Sequence, residues 1–171
     1  YIIKDSATRI AALRTGRVKR TGTRFCALTP AQVESVKATN PRMRFVPEVC
    51  VTGPGFFMNI RRPPFSDIRV RKAVSLALDR QAALKTLASG QGMLSRYFPY
   101  EGWGIPDEEL LKMPGYRQPK DTDRAEARKL LAEAGYPEGF QLTILSRVMP
   151  VASDAAVFMS NELASIGIKS T

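Results

Sequence analysis

Histidine is absent from all 171 residues of this sequence. Histidine is the commonest general base near neutral pH and a frequent zinc ligand, so its absence argues against Ser-His-Asp chemistry and most zinc centres. Cysteine is scarce as well, because only Cys26 and Cys50 are present. Two cysteines do not make a disulfide-rich scaffold or a thiolate metal site. We therefore expect no enzyme and no metal site. No phosphate loop of the Walker type is present, and we expect no cofactor. An enzyme that uses carboxylates is a third possibility, but the sequence lacks the paired acidic sites that such catalysis needs.

Both cysteines lie in strand-like runs, and two states remain open for them. In an oxidising compartment Cys26 and Cys50 can form a disulfide if their strands are neighbours, since the geometry of the bond is strict. Alternatively, both are buried free thiols, which is a common state of unpaired cysteine.

Long apolar runs are also missing, since no stretch approaches the roughly 20 residues that cross a bilayer. The first residues, Tyr1 to Asp5, lack the basic and apolar regions of a signal peptide. The content of 44% hydrophobic and 25% charged residues is that of a soluble globular protein. Because both chain ends fall in strand-like runs, we expect an internal fragment of a longer protein.

Acidic residues are few relative to basic ones, with 16 Asp and Glu against 26 Lys and Arg and a formal charge of +10. Such an excess can indicate an anionic partner, and a basic nucleic-acid-binding module is the alternative function to weigh. The basic residues are nevertheless spread along the chain, a distribution typical of solvated faces. The densest cluster comprises Arg14, Arg17, Lys19, Arg20 and Arg24.

The hydrophobic pattern alternates between helix and strand periods, which predicts a mixed α/β fold. Helices are predicted over 67–78, 123–134 and 153–166, each with a buried stripe and a capping or terminating residue. Short strands are predicted over 56–60 and 140–145. Residues 91–121 show little periodicity, and a loop of that length inside a compact domain is often functional.

Two motifs are more distinctive than these periodicities. The first begins at an Asn, continues as Pro-Phe-x-Asp-x-Arg-Val-Arg-x-Ala and ends in Ala-x-Asp-Arg. It is carried by Asn59, Pro64, Phe65, Asp67, Arg69, Val70, Arg71, Ala73, Ala77, Asp79 and Arg80. The second runs over 125–140 and contains Leu-Leu-Ala-Glu-Ala-Gly-Tyr followed by Gly-Phe.

In this order and spacing the motifs resemble those of the extracellular solute-binding proteins of the dipeptide, oligopeptide and nickel type, family 5 of the ABC-transporter binding proteins. The Trp-Gly pair at Trp103 and the segment 8–16 are similar to further elements of that family. The resemblance thus covers nearly the whole chain. One departure is Lys19, which stands where the family usually has Asp.

The resemblance implies a fragment of a two-lobed fold of the periplasmic-binding-protein type. Residues 1–52 would end the first lobe, 53–62 would form the hinge crossing, and 63–171 would begin the second lobe. The implied function is the capture of a peptide or similar small solute by hinge closure, and its delivery to ABC permease subunits in the membrane. The implied location is periplasmic or extracellular, and the family resemblance implies no nucleic-acid partner.

Candidate ligand-binding residues follow from this placement. Phe56, Phe57 and Asn59 lie at the implied crossing, and a second group lies in the long loop, because aromatic rings with polar tips suit peptide faces. The second group comprises Tyr97, Tyr100 and Trp103. The alternative for the aromatic residues of the long loop is that they pack the loop onto the lobe. The helix over 67–78 is expected to be architectural, since its distinctive residues are caps and core positions.

Overall fold

A computed structural model gives the fold of the chain over residues 3, 5–21, 28–46, 55–94, 104–148 and 150–171. The chain divides into two compact units, Tyr1–Cys50 and Val51–Thr171. Among the residues with a described structure, no helix has both the length and the apolar character needed to cross a bilayer.

The first unit contains helices α1 (Ser6–Arg14) and α2 (Pro30–Thr39). Asp5 caps α1, since its side chain accepts a hydrogen bond from the Thr8 amide at 2.7 Å. Thr29 and Gln32 form a reciprocal capping box at the start of α2. Each helix therefore follows a residue whose side chain accepts a hydrogen bond from one of the free amides of the first turn.

The two helices lie side by side and run in the same direction. Near their starts, Gln32 Nε2 donates to Ser6 Oγ at 3.2 Å. Near their ends, Asn40 Nδ2 donates to the Arg14 carbonyl oxygen at 3.2 Å. Both helix C-termini consequently lie at the same end of the pair.

The second unit begins its regular structure with two capped helices joined by a tight turn. These are α3 (Ile68–Ala77), capped by Asp67, and α4 (Arg80–Ala88), capped by Asp79. The remaining elements are α5 (Asp107–Leu110), α6 (Asp121–Glu133), β1 (Gln141–Leu142), α7 (Pro150–Ala164) and β2 (Lys169–Ser170).

The core of the second unit lies where α3 packs against α6 and α7. Small residues at Ala73 and Ala127 are fully buried, which lets the helices approach closely. Larger apolar side chains fill the space around them. The buried cluster comprises Val70, Ala73, Val74, Leu76, Ala77, Ala127, Leu131, Leu163, Ile166 and Ile168.

Strands β1 and β2 pair in parallel, with Gln141 opposite Lys169. A parallel pair needs a crossover connection, and α7 supplies it. Hydrogen bonds continue the ladder on both sides of the strands, from the Lys169 amide to Phe140 O at 2.9 Å and from the Ile144 amide to Thr171 O at 3.0 Å. The predicted strand at 140–145 is therefore confirmed as paired backbone, but its regular part is shorter.

The three helices predicted above are confirmed with shifted ends. The last one begins three residues earlier than expected, at Pro150, because proline fits the first turn of a helix. The predicted strand at 56–60 is wrong. Its residues have no strand partner within the described part of the chain, and the backbone turns where the Arg62 amide donates to Asn59 O at 3.3 Å. The cysteines Cys26 and Cys50 lie outside the described residues.

Candidate functional site

The candidate site is the segment Gly55–Ile60, which leads into the first sequence motif. Its side chains alternate in exposure, as expected for an extended backbone. Phe56 and Met58 are half-buried and pack against the core, whereas Phe57 and Asn59 are exposed. The segment therefore has an anchored side and a side that faces the solvent.

Phe56 is held by a row of aromatic rings. Its ring centroid lies 6.1 Å from that of Phe65 in an edge-to-face arrangement, and Phe65 lies 6.0 Å from Phe140. Tyr136 continues the row, with its centroid 5.2 Å from Phe140. Such pairs add about 0.5–1.5 kcal/mol each beyond the area they bury. The Phe65 side chain thus connects the candidate segment to the residues just before β1.

Phe57 is 97% exposed. Its ring folds toward Gly55, where a Cβ would lie 3.8 Å from Phe57 Cε2. An aromatic ring of this exposure contributes almost nothing to the core of its own unit. It is available to contact a ligand or another part of a larger protein.

Asn59 fixes the turn that ends the segment. Its Oδ1 accepts a hydrogen bond from the Arg61 amide at 3.1 Å, so the acceptor of the side-chain amide is occupied. The Nδ2 group has no partner within the described residues and is exposed. Asn59 can therefore donate to an acceptor such as a peptide carbonyl without breaking the turn.

Of the six residues predicted to bind a ligand, three lie outside the described residues. These are Tyr97, Tyr100 and Trp103. The other three are neighbours in one segment, but they play different structural parts. Phe56 is an anchor, Phe57 is a free aromatic surface, and Asn59 combines a turn contact with a free donor.

The motif residues that follow the segment hold the helices together. Asp67 accepts two hydrogen bonds from the Arg69 side chain, at 2.6 and 3.0 Å, and Arg69 Nη1 donates to Glu133 O at 2.7 Å. The side-chain and backbone hydrogen bonds from Arg69 hold the pKa of Asp67 below its usual value. Arg71 donates to the Phe65 carbonyl oxygen at 2.8 Å. These contacts tie the start of α3 to the end of α6.

The Asp79-Arg80 pair plays a similar part at the next turn. Besides capping α4, Asp79 accepts a hydrogen bond from Gln118 Nε2 at 2.8 Å, and its amide donates to Glu162 Oε2 at 2.8 Å. Arg80 Nη1 donates to Gly115 O at 2.6 Å, and its guanidinium carbon lies 4.6 Å from the Tyr116 ring centroid. The pair therefore links the α3–α4 turn to α7 and to the loop before α6.

A buried ion cluster in that loop was not predicted from the sequence. Asp123 is fully buried and accepts hydrogen bonds from Lys120 Nζ at 2.7 Å, Arg117 Nε at 2.7 Å and the Gly115 amide at 2.9 Å. Lys120 is itself buried. The sequence did carry a signal, because Asp123 precedes Ala127 and Leu131 at intervals of four and so lies on the buried stripe of α6.

Burial of the Asp123 carboxyl alone would raise its pKa. The hydrogen bonds from Lys120, Arg117 and the Gly115 amide outweigh that effect and lower the pKa below its ordinary value. The carboxylate is therefore charged at neutral pH and satisfied on both oxygens. This arrangement ties the loop before α6 to the first turn of that helix.

Within the described residues, no three His, Cys, Asp or Glu side chains form a group that could hold a metal ion. An open depression of about 390 Å³ lies between α4 and α5, beside Gln81, Leu84 and Leu111. It is shallow, and Lys85 and Asp107 also line it.

Comparison with known proteins gives a family match over the whole chain. The sequence model described as "Bacterial extracellular solute-binding proteins, family 5 Middle" matches residues 1–171. Glutathione-binding protein GsiB of Salmonella typhi is 31% identical over 168 residues, which cover 98% of this chain and 30% of that protein. GsiB of Escherichia coli K12 is 27% identical over the same extent.

Two solved structures are also similar. The periplasmic binding protein DppA of Helicobacter pylori, in complex with the peptide STSA, is 26% identical with a TM-score of 0.63. A dipeptide-binding protein of Pseudoalteromonas sp. SM9913, in complex with Met-Leu, is 25% identical with a TM-score of 0.64. The matches cover 99% of this chain and 30% and 32% of those chains. This chain thus spans about 30% of the length of the relatives it matches.

Proposed function

Because this chain belongs to the bacterial extracellular solute-binding proteins of family 5, we propose that it is part of the ligand-capture component of an ABC uptake transporter. The ligand is a peptide or a similar small solute. The observation that carries this proposal is the family match along all 171 residues. Relatives named for binding glutathione, a dipeptide or the peptide STSA support the ligand class.

The proposed mechanism is closure of two lobes over the solute, followed by delivery to permease subunits in the membrane. Residues 1–52 would belong to the first lobe, 53–62 to the crossing and 63–171 to the second lobe. The separation of the chain into two compact units near residue 50 supports this division. No covalent step is required, in keeping with relatives named for binding. Action in the periplasm or at the outer cell surface follows from this role.

Within this function, Phe57 and Asn59 are the proposed ligand contacts of the described part of the chain. Phe57 offers an apolar face, and Asn59 offers a free amide donor beside it. Phe56 would act indirectly, by fixing the segment against Phe65. Tyr97, Tyr100 and Trp103 remain proposed contacts on the strength of their residue types alone.

Isothermal titration calorimetry on the natural full-length protein tests the proposal, with Met-Leu, the peptide STSA and glutathione as probes. We expect saturable binding of at least one probe. Phe57→Ala should weaken that binding by roughly 10- to 100-fold, the equivalent of losing one buried aromatic contact. The matched control is Val157→Ala. Val157 is also apolar and exposed but lies on α7, away from the candidate segment in the sequence, so its substitution should leave the affinity unchanged.

The capture function and the assignment of Phe57 to the binding site can be disproved separately. If none of the three probes nor any member of a library of di- to pentapeptides binds, the capture function is wrong. If a probe binds with equal affinity to the parent protein and to Phe57→Ala, only the site assignment is wrong. Neither substitution should disturb folding, since both side chains are exposed and such changes usually alter stability by less than about 0.5 kcal/mol.

A further inference from the structure

The first unit carries a group of basic residues that the proposed function does not use. They follow the C-termini of α1 and α2 and are exposed. We call this group the basic end, and it comprises Arg17, Lys19, Arg20, Arg42 and Arg44.

Backbone and side-chain hydrogen bonds bring the two stretches of the basic end together. After α1 the chain folds back, because the Val18 amide donates to Ala12 O at 3.0 Å. After α2 it turns sharply, because the Met43 amide donates to Asn40 O at 3.0 Å. Asn40 Nδ2 in turn donates to Arg14 O, which joins the two helix ends directly.

No described acidic residue balances the charge of the basic end locally. Residues 1–50 contain ten Lys and Arg against three Asp and Glu. Within the described residues of this unit, Asp5 lies at the opposite end of α1, and Glu34 pairs with Lys37 at 2.8 Å. None of the five basic-end side chains forms an ion pair with a described residue.

The partial negative charges at the two helix C-termini are too small to neutralise the five cations of the basic end. Each helix C-terminus presents the equivalent of about half a negative charge, so the two ends together offset roughly one of the five positive charges. About four positive charges remain on one exposed surface. A surface of that kind attracts a polyanionic partner over distances of about 10 Å at moderate ionic strength.

We propose that the basic end docks this protein onto an anionic phospholipid surface. This inference rests on the proposed function, in which the protein delivers its solute to permease subunits and therefore works beside the membrane that holds them. Single-stranded nucleic acid is disfavoured, because it requires exposed aromatic rings on which bases stack. The described ring nearest to the basic end, Phe45, is half-buried and lies 5.7 Å from Lys37 Nζ. Docking would concentrate the protein near the bilayer, which is a role beyond solute capture.

Vesicle co-sedimentation of the natural full-length protein tests this proposal. Vesicles of phosphatidylcholine alone are compared with vesicles that also contain phosphatidylglycerol. We expect binding only to the second kind, with loss at high salt. Because each basic residue near an anionic surface contributes roughly fivefold in affinity, the combined change Arg17→Gln, Lys19→Gln and Arg42→Gln should weaken binding about 100-fold.

The matched control removes three exposed cations from the second unit by Lys85→Gln, Lys112→Gln and Arg147→Gln. It changes the net charge equally and should keep most of the binding. A charge-preserving variant, Arg17→Lys with Arg42→Lys, should bind like the parent protein even if the neutral variant folds poorly.

Several results would overturn the proposal. These are equal weakening by the two neutral triple variants, binding that ignores phosphatidylglycerol, or loss of binding in the Lys variant. Competition by inorganic phosphate at low millimolar concentration would indicate a site for a free anion. Tighter retention on duplex DNA than on the anionic vesicles, with the same dependence on Arg17, Lys19 and Arg42, would assign the basic end to nucleic acid.

Discussion

At the scale of single residues, Asp123 is the side chain whose contribution to the free energy of unfolding can be predicted most directly. A fully buried carboxylate is tolerated because Lys120, Arg117 and the Gly115 amide all donate to it. Its neighbour Glu126 contacts Arg117 as well, at 3.1 Å, but it is about half exposed. The two acids therefore share one partner and differ in burial, which makes them a natural pair for comparison.

Asp123→Ala should destabilise the protein by about 3–5 kcal/mol, because it leaves the buried Lys120 ammonium without its partner. Glu126→Ala should cost no more than about 1 kcal/mol, since the ion pair that it breaks is exposed to solvent. Urea denaturation followed by circular dichroism measures both changes. Equal losses in the two variants would show that burial does not set the energy of this cluster.

The same denaturation series has a predictable dependence on pH. The pKa of Asp123 is lowered in the folded state, so its contribution is complete above the unfolded value near 4 and disappears as the pH falls through the folded value. The difference in unfolding free energy between the parent protein and Asp123→Asn should consequently shrink below about pH 4. A difference that grows in acid would contradict the assigned sign.

At the scale of elements, the crossover from β1 through α7 to β2 depends on two glycines that touch. A Cβ on Gly139 would lie 2.0 Å from the Gly167 carbonyl oxygen, and Gly139 has a φ of +76°. Both the contact and the backbone angle therefore require glycine at 139. Their closeness lets the turn before β1 pack directly on the turn before β2.

Gly139→Ala should cost well over about 2 kcal/mol, because the strain of a left-handed alanine adds to a steric overlap with backbone atoms. Gly135→Ala is the matched control. It also has a positive φ, +91°, but nothing lies within 4 Å of its Cβ position, so only about 1–2 kcal/mol is expected. Thermal unfolding curves of the two variants measure the difference. If both lose the same amount, the Gly139–Gly167 contact is not tight in solution.

At the scale of the whole molecule, the two compact units differ in charge as well as in structure. Ten of the 26 basic residues but only three of the 16 acidic residues lie in the first 50 positions. The hinge mechanism proposed for the family fold requires the units to belong to different lobes that move as bodies. That requirement is a property of the complete protein, of which this chain spans about 30%.

Small-angle X-ray scattering tests the motion in the natural full-length protein. A saturating peptide identified by calorimetry should decrease the radius of gyration, because closure of two lobes makes the particle more compact. A dipeptide that does not bind in calorimetry serves as the control and should leave the scattering curve unchanged. An unchanged radius of gyration with the bound peptide would exclude closure as the mechanism.

The sequence alone determined the family and the three helices predicted over 67–78, 123–134 and 153–166. The cap at Asp67 and the buried stripe of α6 depend on contacts between near neighbours in the chain, and such local rules can be applied without a structure. The ordered motifs then implied the family, which the comparison over residues 1–171 confirmed.

Only the tertiary structure decided the features that depend on contacts between residues far apart in the chain. The segment 56–60 has strand-like residues, but a strand also needs a partner, and the described part of the chain provides none. Phe56 faces the core because it packs against Phe65, which in turn packs against Phe140. The parallel arrangement of α1 and α2, which creates the basic end, rests on hydrogen bonds between residues 26 apart. These energies exist only once the chain has brought the partners together, so no local pattern encodes them.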